Sequence, residues 1–489
     1  MLLKNSWSYT ETGINNQEGV FLLAYKTINP YTNEVVKEYP TASASEIETT
    51  LKKGDKLYRE WRKEPAANRA EMLHKIAALL RKNSEKLAKV LVIDMGKLIN
   101  EARGEVELCA IIADYFADHG AEMLKPTSLS SKAGNAHVEK DSLGVLLMVE
   151  PWNFPYYQIM RVFAPNYMVG NPMILKHSSN TPSSAAAFEK VVNDAGAPAG
   201  SFTNLFLSHE QVTKVIADPR VQGVALTGSE QGGSVVAEAA GKYLKKSSME
   251  LGGNDAFVIL NDADLDQVLK VAKRARAYNA GQVCTSSKRF IVADNLYDEF
   301  LKRLGEDFKQ LKPGDPMNEK TTLAPLSTAA AKQKLQKQVD DAIAAGAKLY
   351  QGNHPIDLPG QFFEPTILTD ITQDNPAYYE EMFGPVAQVY RVSSEEEAIK
   401  LASDSHYGLG GIVFAGDPKH GEEVASQIET GMVFVNTVLY TLPELPFGGI
   451  KRSGYGREMS SLGLNAFVNE KLIVSVDKPD LGNAAGALF

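Results

Sequence analysis

The pattern of apolar and polar positions divides the chain near residue 140. Before that point, apolar residues recur every three or four positions, which is the spacing of amphipathic helices. Three helices are expected: one from the Ser43–Glu46 capping box to Trp61, one over Arg69–Asp94 with a break near Asn83, and one over Glu101–His119. The first part of the chain is therefore predicted to be mostly helical.

From residue 143 onward, short apolar runs alternate with helical patterns. Strands are expected at Gly144–Val149, Met173–Lys176, Phe202–Phe206, Val221–Thr227 and Ala256–Leu260, and helices at Tyr156–Val169, Pro182–Ala195, Glu210–Ala217 and Gly232–Lys245. This alternation indicates a parallel sheet that helices cover on both faces. Because such sheets bind ligands beyond the carboxyl ends of their strands, a dinucleotide site is expected within residues 140–250.

A second α/β stretch follows. Its expected elements are a helix that Asp262 and Asp264 cap and that runs to Tyr278, strands near Arg289–Val292 and Val386–Val392, a helix near Thr328–Gly346, and short apolar runs such as Leu472–Val476 in the tail. The chain shows no internal repeat and no long linker, so its domains are expected to interleave.

Composition narrows the class of protein. The chain has 489 residues, which favours two or three domains. Its net charge of −9 argues against a nucleic-acid partner or an anionic membrane surface. The N-terminus lacks the sustained apolar stretch of a signal peptide, and the run Gly19–Tyr25 is too short to cross a bilayer. With only two cysteines and no Cys/His spacing suited to zinc, we expect no metal site and a reducing, cytoplasmic location.

The two cysteines differ in their sequence context. Cys109 lies on the apolar side of a predicted helix, where a cysteine is usually a small buried hydrophobe. Cys284 lies in the loop Gly281-Gln-Val-Cys284-Thr, between a helix and a strand, where substrate could reach a nucleophilic thiolate. The loop by itself leaves an unreactive cysteine as the alternative.

Three further segments carry polar groups at the ends of apolar runs. Glu250 precedes a glycine pair and suits a general base, with a solvated or salt-bridged glutamate as the alternative. Asn153, in Pro151-Trp-Asn-Phe-Pro155, could donate to an oxyanion or belong only to a rigid turn. Thr227–Gly233 offers small residues at a helix N-terminus, which suits a phosphate, although it is not the G-x-G-x-x-G fingerprint.

Together, these motifs resemble one family. They are Asn29-Pro30, Pro151-Trp-Asn-Phe-Pro155, Thr227-Gly-Ser229, Glu250-Leu-Gly-Gly253, Gly281-Gln-Val-Cys284, Glu381-Met-Phe-Gly-Pro385, Pro446-Phe-Gly-Gly-Ile-Lys-Arg-Ser-Gly454 and Gly456-Arg-Glu458. In their order and spacing they are similar to the successive signatures of the aldehyde dehydrogenase superfamily, over nearly the whole chain.

The resemblance implies a fold and an oligomer. The fold class is α/β, with a Rossmann-like cofactor domain in residues 1–118 and 141–250 and an α/β catalytic domain in 251–450. A small β arm, residues 119–140 and 451–489, would join subunits into a homodimer or homotetramer by pairing edge strands.

The resemblance also implies roles for the three candidate catalytic residues. Cys284 would attack the aldehyde carbon, and Asn153 and the cysteine's own N–H would hold the oxyanion. After hydride transfer, Glu250 would activate the water that hydrolyses the thioester. Because Glu250 is present, hydrolysis is favoured over transfer of the acyl group to CoA. A catalytically dead homologue and a Cys–His hydrolase are the remaining alternatives.

Further positions match the family's cofactor site. They are Trp152, Lys176, Ser179, Thr227, Gly228, Ser229, Gly233, Leu251, Glu381 and Phe383. Family members restricted to NAD usually have a glutamate at the position of Ser179, where it repels a 2′-phosphate. The serine therefore predicts that NADP is accepted, with NAD also usable, and His177 could modify this preference. The core is the alternative location for Trp152 and Phe383.

The substrate positions most resemble those of succinate-semialdehyde dehydrogenases. Arg161 falls where those enzymes place an arginine for the distal carboxylate, for which a guanidinium is suited. A second arginine that they often have is Tyr278 here, so Tyr278 and Thr441 are candidate hydroxyl donors. Some members carry a second cysteine two residues after the nucleophile, and Ser286 in this chain precludes that disulfide. A broad-specificity aldehyde dehydrogenase is the alternative.

Overall fold

The computed structural model describes residues 25–477, so the expectation about the N-terminus and most of the run Gly19–Tyr25 lies outside the described residues. The helices of this region are α1 (Ala44–Trp61), α2 (Ala66–Lys82), α3 (Ser84–Met95), α4 (Ile99–Met123), α5 (Pro155–Val169), α6 (Pro182–Asp194), α7 (His209–Ala217), α8 (Glu230–Lys242), α9 (Leu265–Ala277), α10 (Asp294–Lys309), α11 (Ala329–Ala344), α12 (Glu395–Ser403), α13 (Pro418–Ala425) and α14 (Ser460–Asn465). Short 3₁₀ turns occupy Tyr278–Gly281 and Pro376–Tyr378.

The strands form three larger sheets and two strand pairs. They are β1 (Tyr25–Ile28), β2 (Val35–Tyr39), β3 (Thr127–Leu129), β4 (Asn135–Ser142), β5 (Val145–Glu150), β6 (Met173–His177), β7 (Phe202–Asn204), β8 (Val221–Thr227), β9 (Lys246–Glu250), β10 (Ala256–Ile259), β11 (Arg289–Ala293), β12 (Lys348–Gln351), β13 (Thr366–Thr369), β14 (Val386–Val392), β15 (Tyr407–Gly408), β16 (Gly410–Phe414), β17 (Met432–Val435), β18 (Ile450–Lys451), β19 (Gly454–Tyr455) and β20 (Val468–Ser475).

The first large sheet has the order β19-β9-β8-β5-β6-β7. Its strands run parallel except at β19, which pairs antiparallel with β9. Helix α5 packs against this sheet and against α2 and α4, and all its residues are buried. Parallel strands align their carboxyl ends, so the segments that follow β9, β8, β5 and β6 meet at one edge.

The second large sheet has the order β12-β13-β14-β11-β10-β16-β17. Only β12 runs antiparallel to its neighbour, β13. Its central strands are short and apolar, as in Phe257–Ile259 and Phe290–Val292, and both of these segments are buried. Burial on both faces explains why these strands show continuous apolar runs rather than alternation. The Cys284 loop leads directly into β11.

The third sheet has the order β20-β4-β3 and is antiparallel. Its strands are largely polar, and Leu129, Leu472 and Val474 are exposed. Among residues 25–477, no helix combines the length and apolar character that a membrane span requires.

Much of the predicted secondary structure is confirmed. The capping box at Ser43 and Glu46 is formed, and α1 ends at Trp61. The expected break at Asn83 separates α2 from α3, and β8 has the predicted bounds. The predicted helix Gly232–Lys245 is wrong at both ends: α8 covers Glu230–Lys242, because Ser229 accepts from the Gly232 N–H as the N-cap. The expected strand at Phe202–Phe206 is shorter, since β7 ends at Asn204. The domain boundaries stay a prediction.

Candidate active site

Four strands of the first sheet end with polar or charged residues at a single edge. Thr227 of β8 lies opposite Glu250 of β9, and Glu150 of β5 lies opposite His177 of β6, which follows Lys176. Parallel pairing therefore places groups far apart in sequence next to one another. The motif Pro151–Pro155 follows β5 directly, so Asn153 comes to the same edge.

The nucleophile candidate follows an unusual turn. Asn279, Ala280 and Gly281 have φ values of 51°, 53° and 74°, which is the left-handed region. Each non-glycine residue there costs roughly 1–2 kcal/mol, so surrounding contacts must hold the turn. A Cβ at Gly281 would lie 2.4 Å from the backbone of Gly384, and only glycine fits this approach. The turn presents Cys284, which is half-buried, at the wall of a crevice.

Asn153 is fixed beside the cysteine turn. Its side-chain Nδ2 donates to the carbonyl oxygen of Gln282 at 3.1 Å, and Asn279 Nδ2 donates to the Asn153 carbonyl at 3.0 Å. Gln282 is in turn anchored because its Oε1 accepts from the Ser327 N–H at 2.9 Å. Asn153 and Cys284 line the same crevice, and an amide held in this way costs little reorganisation when an oxyanion forms.

The start of α5 is also held firmly. Glu105 Oε1 accepts from the backbone N–H groups of Tyr156 and Tyr157 at 2.9 and 3.1 Å, and its other oxygen pairs with Lys97. A carboxylate at a helix N-terminus satisfies free N–H groups and complements the helix dipole. Both Glu105 and Lys97 are buried, so the helix that follows Asn153 starts from a fixed point.

Glu250 belongs to a buried acidic cluster. Glu150, Glu250 and Glu458 are each at most 4% exposed, and Arg161 is fully buried beside them in an ion pair with Glu458. Burial first, and then the charge of Glu458, raise the pKa of Glu250 well above its usual range, while Arg161 and Arg457 oppose that shift. Among the described residues, neither carboxylate oxygen of Glu250 has a hydrogen-bond partner. Such a carboxyl group can hold or accept a proton near neutral pH.

Arg161 connects the acidic cluster to a row of hydroxyls. Its Nη2 donates to Thr227 Oγ1 at 3.1 Å and its Nη1 to the Tyr157 hydroxyl at 3.4 Å. Tyr157 and Thr441 share a hydrogen bond of 3.0 Å. The structure therefore brings together two of the three predicted substrate residues, Arg161 and Thr441, through Tyr157.

Tyr278 does not take part in this row. Its ring stacks on Phe154 at a centroid distance of 6.0 Å, and the Arg274 guanidinium lies 4.8 Å from the ring centroid. Tyr278 precedes the left-handed turn, and its burial raises the pKa of its hydroxyl.

A crevice of about 900 Å³ runs between the two large sheets. Predicted cofactor residues line it, namely Trp152, Thr227, Gly228, Ser229, Leu251, Glu381 and Phe383. Trp152 and Phe383 both line the crevice, and their rings meet edge to face with centroids 5.6 Å apart. A Cβ at Gly233 would lie 2.4 Å from Leu251, which explains the glycine within the first turn of α8.

Lys176 and Ser179 are not among the residues that line this crevice; Lys176 lies at the carboxyl end of β6, and Ser179 follows that strand. Lys176 is 9% exposed, no ion pair is recorded for it among the described residues, and burial lowers its pKa to about 8. At this pKa the ammonium is still mostly charged at pH 7, and an anionic phosphate beside it would stabilise that charge. Both ring nitrogens of His177 form hydrogen bonds within the protein. Its Nε2 donates to the Pro155 carbonyl at 3.2 Å, and its Nδ1 accepts from Thr181 at 3.0 Å. Burial lowers the pKa of His177 to about 4, which keeps it neutral.

One lysine, Lys288, contacts both Glu381 on the wall of the crevice and the backbone around Cys284. Lys288 Nζ lies 3.3 Å from Glu381 Oε1 and donates to the backbone carbonyls of Val283 and Cys284 at 2.8 and 2.5 Å. Burial raises the pKa of the Cys284 thiol to about 12, and Lys288, followed by Arg161, opposes that shift.

Three residues of this site were missed from the sequence, namely Glu150, Tyr157 and Lys288, and Glu458 was named only as part of a family motif, without a role. Tyr157 precedes Arg161 by one helical turn, so the i, i+4 spacing could have placed the two side chains together. Glu150 is the last residue of an apolar strand, where an acid is unusual. Nothing local signals the pairing of Glu458 with Arg161 or of Lys288 with Glu381, because these partners come from other elements.

Comparisons with known proteins agree with this geometry. The family model described as "Aldehyde dehydrogenase family" matches residues 22–473. A succinate-semialdehyde dehydrogenase (NADP+) of Deinococcus radiodurans is 48% identical over 449 residues, which are 92% of this chain and 94% of that protein. Another, from Mycobacterium avium, is 41% identical over 464 residues, 94% of this chain and 98% of that protein.

A solved structure is similar as well. The succinic semialdehyde dehydrogenase from Streptococcus pyogenes, in complex with NADP+ as the cofactor, matches with a TM-score of 0.91 and 57% identity over 92% of this chain and 99% of that chain. Fold, motif positions and overall sequence thus point the same way: the chain belongs to the aldehyde dehydrogenase family.

Proposed function

We propose that this protein oxidises succinate semialdehyde to succinate, with Cys284 as the nucleophile and NADP as the hydride acceptor. The observation that carries the proposal is that Cys284 and Asn153 line one crevice, while Glu250 lies opposite Thr227, which lines the same crevice. Cys284 opens on the crevice, Asn153 is fixed beside its turn, and Glu250 ends a strand at the same sheet edge. The names of the relatives support the substrate and the cofactor, since those proteins are described as NADP+ succinate-semialdehyde dehydrogenases.

The chemistry uses this chain's groups in sequence. The Cys284 thiol loses its proton to solvent water, the sulfur bonds to the aldehyde carbon, and the C=O electron pair moves to the oxygen, which becomes an oxyanion that accepts a hydrogen bond from Asn153. A nicotinamide dinucleotide bound in the crevice would supply the acceptor for the hydride that leaves this carbon. Cys284 is then held as a thioester. Glu250 takes a proton from water, whose oxygen bonds to the acyl carbon while the carbon–sulfur bond breaks and the thiolate returns.

The crevice fits a dinucleotide. Ser229 caps α8, so backbone N–H groups face the wall where a pyrophosphate would lie. Glu381 and Phe383 would hold the nicotinamide-side ribose, and Lys176 with Ser179 would hold the adenine-side ribose. Because Ser179 brings no negative charge, the pairing of a 2′-phosphate with Lys176 is unopposed there.

The substrate's distal carboxylate would bind at the row formed by Arg161, Tyr157 and Thr441. Two hydroxyls and a guanidinium supply donors for its oxygens. Arg161 also pairs with Glu458, so we expect the substrate to share the guanidinium rather than to displace Glu458. Tyr278 is at most an outer donor in this arrangement.

The test is an aldehyde panel with both cofactors. Succinate semialdehyde should exceed butyraldehyde, which lacks only the distal carboxylate, by at least about tenfold in kcat/KM. Arg161→Lys keeps the buried charge but loses the fork geometry, so it should raise KM for succinate semialdehyde and leave butyraldehyde nearly unchanged. Equal use of the two aldehydes would favour the alternative, a broad-specificity enzyme. No NADP-dependent turnover at all would overturn the proposal.

We also propose that two copies associate through the β20-β4-β3 sheet. Within residues 25–477, its outer strands β20 and β3 offer unpaired edges, and the exposed side chains of Leu129, Leu472 and Val474 would be covered in such an assembly. A dimer or tetramer in light scattering is expected, and a monomer at micromolar concentration would contradict this. The low cysteine content supports a place in the reducing cytoplasm.

A further inference from the structure

Lys288 occupies an unusual position for a lysine. It is fully buried at the start of the segment that leads into β11, four residues after Cys284. Lysines are rarely buried unless they are paired, because desolvation of an ammonium is costly. The catalytic steps above do not use it, so its burial needs a reason.

Every donor direction of the Lys288 ammonium is used. Two go to the carbonyl oxygens of Val283 and Cys284, at 2.8 and 2.5 Å, and the third faces Glu381 Oε1 at 3.3 Å. The backbone of Lys288 is fixed too, since its N–H donates to Asp255 O at 3.0 Å and its carbonyl accepts from Gln388 at 2.9 Å. The ammonium therefore cannot turn away from the cysteine.

Glu381 faces the crevice from the other side of this lysine. Its Oε1 also accepts from the Gly253 N–H at 3.0 Å, and the side chain keeps 18% of its surface exposed. The Lys288 ammonium thus connects the Glu381 carboxylate, which lines the crevice, to the backbone around Cys284.

We propose that Lys288 is a positioning residue. It fixes the Cys284 turn through two carbonyl hydrogen bonds, and its positive charge interacts with both the Glu381 carboxylate and the Cys284 thiolate. This inference rests on the proposed function for the role of Glu381 toward the nicotinamide-side ribose. Lys288 takes no proton and forms no covalent bond. It favours the thiolate that attacks the aldehyde.

The charged groups around the thiol agree with this role. Lys288 and Arg161 lower the pKa of Cys284, whereas Glu381 and Asp255 raise it. Lys288 itself faces Glu381, Asp255, Arg276 and Cys284; the two carboxylates favour its charged form against burial. Loss of Lys288 removes the charge that lowers the pKa of the Cys284 thiol most. Loss of the Glu381 charge removes one that raises this pKa.

The experiment measures alkylation of Cys284 by iodoacetamide in the cofactor-free protein, as a function of pH, by mass spectrometry of the cysteine peptide. Lys288→Met, which is uncharged and similar in length, should lower the rate of Cys284 alkylation by about tenfold at every pH measured. Lys288→Arg should recover most of the rate. Lys273→Met, on the surface of α9, should match the unmodified protein. Unchanged alkylation rates in a folded Lys288→Met protein would overturn the proposal.

A second variant covers the case in which Lys288→Met does not fold. Glu381→Gln removes a charge at the crevice and frees Lys288 for the thiolate, so alkylation should accelerate by roughly threefold to tenfold. In the Lys288→Met background the same change should have a much smaller effect, because the shared ammonium is gone. A slower or unchanged rate in Glu381→Gln would contradict the interaction of the Lys288 charge with both groups. Alkylation needs no aldehyde, so failure of the proposed substrate would leave this result interpretable.

Discussion

The chain's two cysteines lie in opposite kinds of environment. Cys109 is fully buried in α4, among the apolar residues Val106, Ile112 and Phe116. Burial raises the pKa of its thiol well above the usual range, and Glu105 adds to that shift. Cys284 is half-buried on a strained turn, opens on a crevice, and has Lys288 and Arg161 nearby.

The contrast shows that burial alone does not determine how reactive a thiol is. Both thiols lose solvation, and both have raised pKa values for that reason. Only Cys284 combines access from a crevice with cations that oppose the shift and an amide beside its turn. Reactivity therefore follows from the neighbours that the fold brings to the turn.

The largest effect should separate the two cysteines outright. Cys284→Ala removes the proposed nucleophile, so aldehyde oxidation should fall on the order of 10⁴-fold or more. The measurement is NADPH formation at saturating substrate. Residual activity within tenfold of the unmodified protein would show that Cys284 is not the nucleophile.

A smaller loss of activity is expected when the proposed general base, Glu250, is removed. Glu250→Gln keeps the shape of the buried side chain but cannot accept a proton, so thioester hydrolysis should slow by about a hundredfold to a thousandfold. Cys284 still reacts, and rapid mixing should show a burst of about one NADPH per active site. A slow phase without a burst would place the role of Glu250 before hydride transfer.

The pH dependence of the thiol gives an intermediate effect. The pKa of Cys284 is raised to about 12, chiefly by burial, so the reactive thiolate is a minority at pH 7 and increases about tenfold per pH unit. Alkylation of the cofactor-free protein should rise with that slope from pH 7 to 9. A plateau below pH 8 would mean that the cations lower the pKa further than this account allows.

The smallest effect concerns the buried cysteine. Cys109→Ala leaves a small cavity in the core around α4 and should lower the free energy of unfolding by about 1 kcal/mol. Activity of the folded protein should be unchanged, as thermal melts and steady-state rates can establish. Loss of activity in a stable Cys109→Ala protein would remove the distinction between the two thiols.

The sequence predicted the elements that have a local signal. The capping box before α1, the break at Asn83 and the strand Val221–Thr227 all depend on neighbouring residues, and all are confirmed. The strand β9 was missed, because Lys246-Ser-Ser precedes Met249 and reads as the end of a helix. There, pairing with β8 and β19 overrides the local preference.

The candidate site divides in the same way. Motifs indicated Cys284, Glu250 and Asn153, but their surroundings come from distant parts of the chain. Arg161 and Glu458 are almost 300 residues apart in sequence and form a buried pair only in the fold. Lys288 looks like an ordinary basic residue before a strand until Glu381 is brought beside it.

The central claim is that a thioester forms on Cys284 during oxidation of succinate semialdehyde. Glu250→Gln protein, mixed with that aldehyde and NADP, quenched in acid and digested, tests this most directly by peptide mass. The account predicts one succinyl group on the peptide that contains Cys284 and none on the peptide that contains Cys109. NADPH formation without that adduct, or the adduct at any other residue, would contradict it.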